Sequence, residues 1–369
     1  MRLSVCSQNS WIKVQNNFMN ETNQKFIPGL QLGELFYKEV IGPILKADFP
    51  ELKYFAGLIG EGSEILGYDT PQSTDHCWGP RTMLFLSDND YEESAKKVLE
   101  TLTAKIPPEF MGYSTKMDCH VKNTIDIFTI QNFFEKHLTI NPTKELEISD
   151  WLIFPSQKLL EITNGKVFHD DLGLSEIRQK FSYYPNDLWL YILSSQWTKI
   201  SQEEAFVGRC GDVGDELGSQ VVAARMVREL MKLCFILEKR YVPYSKWFGT
   251  AFAELKSAKE LSPILRKVLL AESWKEREGF LSEAYEKVAE LHNSQKITEP
   301  LPTKVSSYHD RPYLVIHADQ FAEAVKSKIT DEKVKAIKTS IGSVDQFMDS
   351  TDVLSYPQIF KKLKIWSND

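Results

Sequence analysis

The alternation of apolar and polar positions divides this chain into a first part that mixes strands with helices and a second part built almost wholly of helices. Leu32, Leu35, Phe36, Val40, Ile44 and Leu45 recur at helical spacing and predict a helix over 30–47, bent near its end by Gly42-Pro43. Apolar runs predict strands at 55–60 and 82–87. Helical periodicity returns over 92–104, after Asp88-Asn89-Asp90, which offers N-caps. The stretch TIDIFTI (124–130) alternates and is rich in β-branched residues, so it reads as a strand interrupted by Asp126. Past about Pro142 the texture changes. LIFPSQKLLEI (152–162) reads as a helix with an internal Pro155, and 185–240 as helix after helix. The most regular is 219–239, where Val222, Met226, Leu230, Leu233 and Leu237 keep a 3.6-residue period. Further helices are predicted at 261–271, 273–292 and 317–327.

The expected class is α+β. An Asn- and Gln-rich arm, loosely held or forming one short helix, covers 1–28 and ends at Pro28-Gly29. An α/β domain with a mixed sheet covers 29–142, a helical domain 143–296, and an irregular to helical tail 297–369 packs on the rest.

With 369 residues the chain is long enough for two cores, and its 42% hydrophobic and 26% charged content is that of an ordinary globular protein. The formal charge of −7 argues against nucleic acid as a partner, since the nearest basic run, Lys361-Lys362-Leu363-Lys364, is short. No apolar run reaches the length of a membrane span, and the N-terminus lacks the apolar core of a secretory signal, so a cytoplasmic protein without a membrane partner is expected. The five cysteines (Cys6, Cys77, Cys119, Cys210, Cys234) are scattered and never spaced Cys-x-x-Cys. They predict reduced thiols, neither a disulfide scaffold nor a zinc site.

Three segments carry candidate chemistry. In the first, LIGEGSEILGYDTPQSTDHCWGPRTMLFL (58–86), an apolar run ends in a Gly62-Ser63 turn, and a polar stretch leads to Asp75 before the next apolar run. A strand, a small-residue turn and an acid entering the next strand is the layout used by nucleotidyltransferases. There the backbone and hydroxyl of the turn approach phosphates, and carboxylates hold Mg²⁺. Asp75 supplies one carboxylate, and Asp126, on the later strand, is the candidate for the other. Singly, each reads as a turn cap or a solvated strand residue; together, with Gly62-Ser63 upstream, they favour a metal pair. Cys77 stands where the second acid of such a pair is usual, and it is no magnesium ligand. Neighbouring side chains on a strand face opposite ways, so His76 and Cys77 are not expected to meet as zinc ligands or as a nucleophile pair.

The second segment, QWTKISQEEAFVGRCGDVGDELG (196–218), gathers Glu203, Glu204, Arg209, Asp212, Asp215 and Glu216 around four glycines. Gly208, Gly211 and Gly214 disfavour a helix and predict a loop that places Glu203 or Glu204 as a base and Arg209 on a carboxylate or phosphate. A solvated acidic helix–loop–helix accounts for the same residues equally well. In the third, KRYVPYSKWF (239–248), a basic aromatic turn offers Lys246 and Arg240 to a triphosphate and Tyr244 or Trp247 to a base. Aromatics beside a helix end are more often core.

GSEILGYDTPQSTDHCWGPR (62–81), QEEAFVGRCGDVGDELGS (202–219), EKRYVPYSKWFGTAF (238–252), LHNSQKITEPL (291–301) and DQFMDSTDVLS (345–355) resemble the domain of unknown function 4037 family. That resemblance implies a nucleotidyltransferase-like fold at the N-terminus followed by helices, with Gly62, Ser63 and Asp75 at the nucleotide and metal site. It implies no particular substrate. The leading expectation is a Mg²⁺-dependent transfer of a nucleoside monophosphate from an NTP (ATP or GTP) to a hydroxyl of a small-molecule acceptor. Asp75 and Asp126 would hold the metal, Gly62, Ser63, Arg209 and Lys246 the nucleotide, and Glu203 or Glu204 would act as base. The alternative is a nucleotide-binding sensor or interaction protein that keeps the fold without catalysis. Transfer onto a protein or RNA is a third reading, and the acidic charge argues against RNA.

Overall fold

A computed structural model describes residues 26–75, 77–117, 123–363 and 365–366, so most of the predicted arm and His76 lie outside the described residues. Helix α1 (Gly29–Phe36) continues through a π-helical turn, Tyr37–Ile41, into α2 (Gly42–Asp48). The predicted bend is therefore a wide turn placed just before Pro43, whose missing N–H a regular ladder cannot use. Strand β1 (Tyr54–Leu58) follows, then a long loop, β2 (Thr82–Leu86) and α3 (Asp88–Lys105). The N-cap of α3 is Ser87, whose Oγ accepts from Asp90 N at 3.2 Å, ahead of the predicted Asp88-Asn89-Asp90 cap. A small hairpin (β3, Glu109–Phe110; β4, Tyr113–Ser114) leads to β5 (Ile125–Thr129) and α4 (Ile130–Leu138).

Pro155 divides the single helix predicted over 152–162 into α5 (Ile148–Ile153) and α6 (Ser156–Thr163), because proline starts a helix well and interrupts one badly. Strand β6 (Lys166–Asp170) comes next, a segment the periodicity does not reveal. The helical half comprises α7 (Leu174–Gln179), α8 (Asn186–Glu203), α9 (Phe206–Asp212), α10 (Glu216–Leu237), α11 (Ser245–Phe252), α12 (Ala258–Leu270) and α13 (Trp274–Ser294). A hairpin (β7, Ser306–Tyr308; β8, Arg311–Val315), α14 (Ala318–Lys326) and the short helices α15 (Glu332–Lys335), α16 (Val344–Phe347) and α17 (Thr351–Leu354) complete it.

The sheet order is β5-β2-β1-β6. β1 runs antiparallel to β2 and β6, and β2 runs parallel to β5, so the sheet is mixed and the α+β class expected from the sequence is the one observed. β6 lies past residue 142 yet pairs with β1, drawing the start of the helical half into the sheet. Alternation then sends side chains to two cores. Ala56, Leu84 and Ile125 pack with Leu32, Phe36, Val98 and Leu102 on one face. Phe55, Met83 and Phe85 pack with Phe133 and Phe134 on the other face, in a core continuous with the helical half. Among the described residues no helix is long and apolar enough to cross a membrane.

Candidate functional site

β1 ends against the start of the Glu61-Gly62-Ser63 turn, and the conformation of that turn is over-determined. Gly62 has φ +144°, and a Cβ there would lie 2.3 Å from Glu64 Oε2, so no other residue fits without displacing the Glu64 carboxylate. Glu64 is buried and ion-paired with Arg81, whose Nη2 also donates to Glu61 O at 3.0 Å. Further along the loop, Asp69 accepts from Gly29 N at 2.7 Å and Trp78 Nε1 at 2.9 Å, which ties the loop to the start of α1. Asp75 closes a 3-10 turn (Pro71–Asp75) and is exposed, with no ion-pair partner among the described residues. The expectation that Asp75 enters the next strand is corrected: β2 begins at Thr82, and the polar stretch folds back on itself first. Cys77 is likewise off any strand, at φ +50°, and it is disulfide-bonded, contrary to the reduced thiol expected; Cys210 and Cys234 are free.

Opposite the turn stands α6. Lys158 Nζ lies 2.9 Å from Glu61 Oε1 and 2.9 Å from Glu161 Oε2, and His137 Nδ1 of α4 lies 2.9 Å from the same Glu161 oxygen. Burial by itself would lower the Lys158 pKa, but Glu161 and Glu61 outweigh it and the ammonium is held above its ordinary value. The Glu61 carboxyl is pushed up by burial and pulled further down by Lys158, so it stands below the usual range. The ligand atoms of Glu61, His137 and Glu161 fall within 4.8 Å of one another, a spacing a metal ion can use, but the Lys158 ammonium already stands between the two carboxylates.

Glu61, Lys158 and Glu161 line a cavity of about 640 Å³ between the 61–78 loop, α6, α10, α11 and the C-terminal segment. From α10, Lys232 and Arg228 reach it. Lys232 is buried, donates to Asp345 O at 2.8 Å, and has its pKa lowered by burial and by the neighbouring Arg228 and Lys199, against the pull of Glu229 and Asp345. Arg228 Nη1 donates to Asp349 Oδ2 at 2.9 Å. Asp345 accepts from Ser156 N at 2.9 Å and Ser156 Oγ at 3.0 Å, fastening the C-terminal segment to the first turn of α6. Lys246, at the first turn of α11, is exposed and lies over the Trp247 ring at 4.9 Å.

Of the residues proposed from sequence, Gly62, Ser63, Asp75 and Lys246 line this one cavity. Asp126, Glu203, Glu204 and Arg209 are not among its lining residues. Asp126 sits beside Met83 in the β2–β5 ladder and accepts from Asn123 Nδ2 at 2.8 Å. Glu203 pairs with Arg225 at 2.8 Å. Glu204 is buried and accepts from Ile316 N at 2.9 Å and Ala318 N at 3.2 Å, so it holds the corner between β8 and α14; burial raises its pKa to about 7. The Arg209 guanidinium lies over the Phe206 ring at 5.4 Å. The loop predicted from the spaced glycines is mostly helix α9. A Cβ at Gly211 would fall 2.0 Å from Trp274 Cγ and one at Gly208 2.7 Å from Tyr313 Cδ1, so these glycines admit aromatic rings to the helix surface.

Lys158, Glu161, Arg228, Lys232 and Asp345 escaped the sequence reading. A signal existed for two of them: Lys158 and Glu161 stand three apart, on one face of a helix, next to Leu159 and Ile162, which puts charge beside apolar positions. The others carry no local mark.

These donors fit a magnesium ion only in part. Asp75, exposed and without an ion-pair partner among the described residues, suits an ion that keeps most of its waters and arrives with a nucleotide. Glu61 and Glu161 both hold the Lys158 ammonium and Asp126 stands outside the lining, so the donors do not form a pre-built two-metal centre.

Residues 151–248 match the model of a family described as a domain of unknown function (DUF4037). No curated protein matches the chain. A crystal structure of a nucleotidyltransferase-like protein from Exiguobacterium sibiricum 255-15 matches at 10% identity, covering 71% of this chain and 75% of that chain, with a TM-score of 0.32. The family match contains Lys158, Glu161, Arg228, Lys232 and Lys246 and begins after Gly62, Ser63 and Asp75. The resemblance to the domain of unknown function (DUF4037) is thus shown over the segment that builds the helical wall of the cavity.

Proposed function

We propose that the chain is a nucleotidyltransferase that moves a nucleoside monophosphate from an NTP, ATP or GTP, to a hydroxyl of a small-molecule acceptor. The observation that carries this reading is the sharing of one cavity by the Gly62-Ser63 turn and Asp75 on one wall and by Lys158, Lys232 and Lys246 on the other. A rigid glycine turn lets phosphate oxygens approach the backbone, and lysines opposite it neutralise them. Bound at Asp75, Mg²⁺ would supply charge neutralisation to the phosphates. The acceptor oxygen bonds to the α-phosphorus, the bond from that phosphorus to the bridging oxygen breaks, and pyrophosphate leaves. Glu61, half exposed beside the turn and kept ionised by Lys158, is the carboxylate placed to take the acceptor's proton. The residues first considered for that task, Glu203 and Glu204, hold other groups.

The competing reading is a nucleotide-binding protein without turnover, favoured by the disulfide-bonded Cys77 at the position where a second acid is usual. Pyrophosphate release from ATP and GTP, with Mg²⁺ and a panel of hydroxyl acceptors, separates the two. Release that depends on Mg²⁺ and acceptor supports transfer. Nucleotide binding with no release on any acceptor sinks transfer and leaves the sensor.

A further inference from the structure

Lys158 is a buried charge at the edge of the cavity. It sits in the first turn of a helix that packs into the main core, with its side chain only 6% exposed, yet it borders the cavity. Burying an ammonium between two carboxylates is seldom better for stability than an apolar side chain of the same volume, so such a group calls for another use. Its ammonium has three N–H donors, and two are engaged, by Glu61 and Glu161 at 2.9 Å each. The third has no partner among the described residues. The two acceptors belong to opposite walls, Glu61 to the turn immediately before Gly62 and Glu161 to α6. Glu161 is itself fixed by His137 Nδ1 at 2.9 Å, and its residue accepts Gly60 N through its backbone oxygen at 2.8 Å. Lys158 is therefore a positive charge clamped beneath the Gly62-Ser63 turn, unable to wander as the exposed Lys246 can.

Resting on the transferase reading above, we propose that Lys158 is a catalytic residue, its third N–H donating to a non-bridging oxygen of the phosphate being transferred. A fixed cation aimed where charge gathers during transfer lowers the barrier more than it tightens ground-state binding. It also supplies, from the chain itself, positive charge beside the phosphate being transferred. The α-phosphorus gains the acceptor oxygen and loses the bridging oxygen while Lys158 keeps its proton throughout.

The test compares wild type, Lys158→Arg and Lys158→Ala for Mg²⁺-dependent pyrophosphate release and, separately, for binding of a fluorescent ATP analogue. Lys158→Ala is expected to lose roughly 100-fold or more in turnover while binding the nucleotide within a few-fold of wild type. Added methylammonium or ethylammonium should restore part of that turnover, a recovery that also shows the variant is folded. Lys158→Arg, which keeps both ion pairs but not the position of the third N–H, should remain well below wild type. Near-normal turnover in Lys158→Arg with no amine rescue of Lys158→Ala would make Lys158 structural and overturn the proposal. Undiminished turnover in Lys158→Ala would overturn it too, with the transferase reading left standing. No release by the wild type on any acceptor would overturn both.

Discussion

Two stretches of this chain look alike on paper, the loop from Glu61 to Asp75 and the corner from Glu203 to Gly218, each mixing glycines with acids. In the first, Gly62 takes a conformation no other residue adopts easily and the turn opens onto a cavity. In the second, Gly208 and Gly211 are ordinary helical residues whose missing side chains make room for Tyr313 and Trp274. The acids differ in the same way. Asp75 is exposed at the cavity, whereas Glu204 is buried and spends both oxygens on backbone N–H groups. A glycine–acid pattern thus has two physical uses, admitting a ligand or admitting a neighbouring ring, and only the surroundings tell them apart.

That contrast can be broken by experiment. The largest effect is expected for Asp75→Ala, which should lower Mg²⁺-dependent pyrophosphate release by about 100-fold or more while leaving the unfolding midpoint in place. Asp126→Ala, a change outside the cavity lining, should lower it far less. Equal losses in the two would restore the metal pair proposed from sequence. Next in size is Gly211→Ala, whose Cβ meets Trp274; overpacking of this kind should cost about 2 kcal/mol in a urea titration without altering turnover at permissive temperature.

Glu204 allows a pH test of the same corner. Its pKa in the folded protein is about 7, above the ordinary 4.5, so the folded state holds a proton that the unfolded chain gives up between those values. The associated stability is fully present below pH 4.5 and lost as pH rises through 7. Glu204→Gln should flatten that decline in unfolding free energy measured between those limits, with turnover unchanged. An unaltered slope would remove Glu204 as its source. The smallest change belongs to Lys246→Ala: Lys246 is exposed, and as the proposed phosphate contact its loss should raise the KM for NTP by only a few-fold at moderate ionic strength.

Much of the fold was legible because periodicity is a local property. The strands at 54–58, 82–86 and 125–129 and the long helix at 216–237 each appear within a few residues of their expected ends. Strand β6 was not legible: its half-buried residues, KVFHD, gain their identity from pairing with β1 more than a hundred residues earlier in the chain. Pro155 is plain in the sequence, but the sequence alone does not say whether proline kinks a helix or begins a new one.

The candidate site divides along the same line. Gly62, Ser63 and Asp75 could be picked out because a turn chemistry and a carboxylate announce themselves over a short stretch, and Lys246 because it sits in a conspicuous basic aromatic turn. The class of the fold and the mixed character of its first half also follow from local pattern. Which charges meet was decided elsewhere. Lys158 finds Glu61 across a separation of 97 residues, Ser156 finds Asp345 across 189, and Glu204 is taken out of the chemistry by N–H groups more than 110 residues away. Side-chain type and spacing govern what a segment can form, but a cavity needs groups from several segments at once, and their convergence depends on packing that no single segment contains.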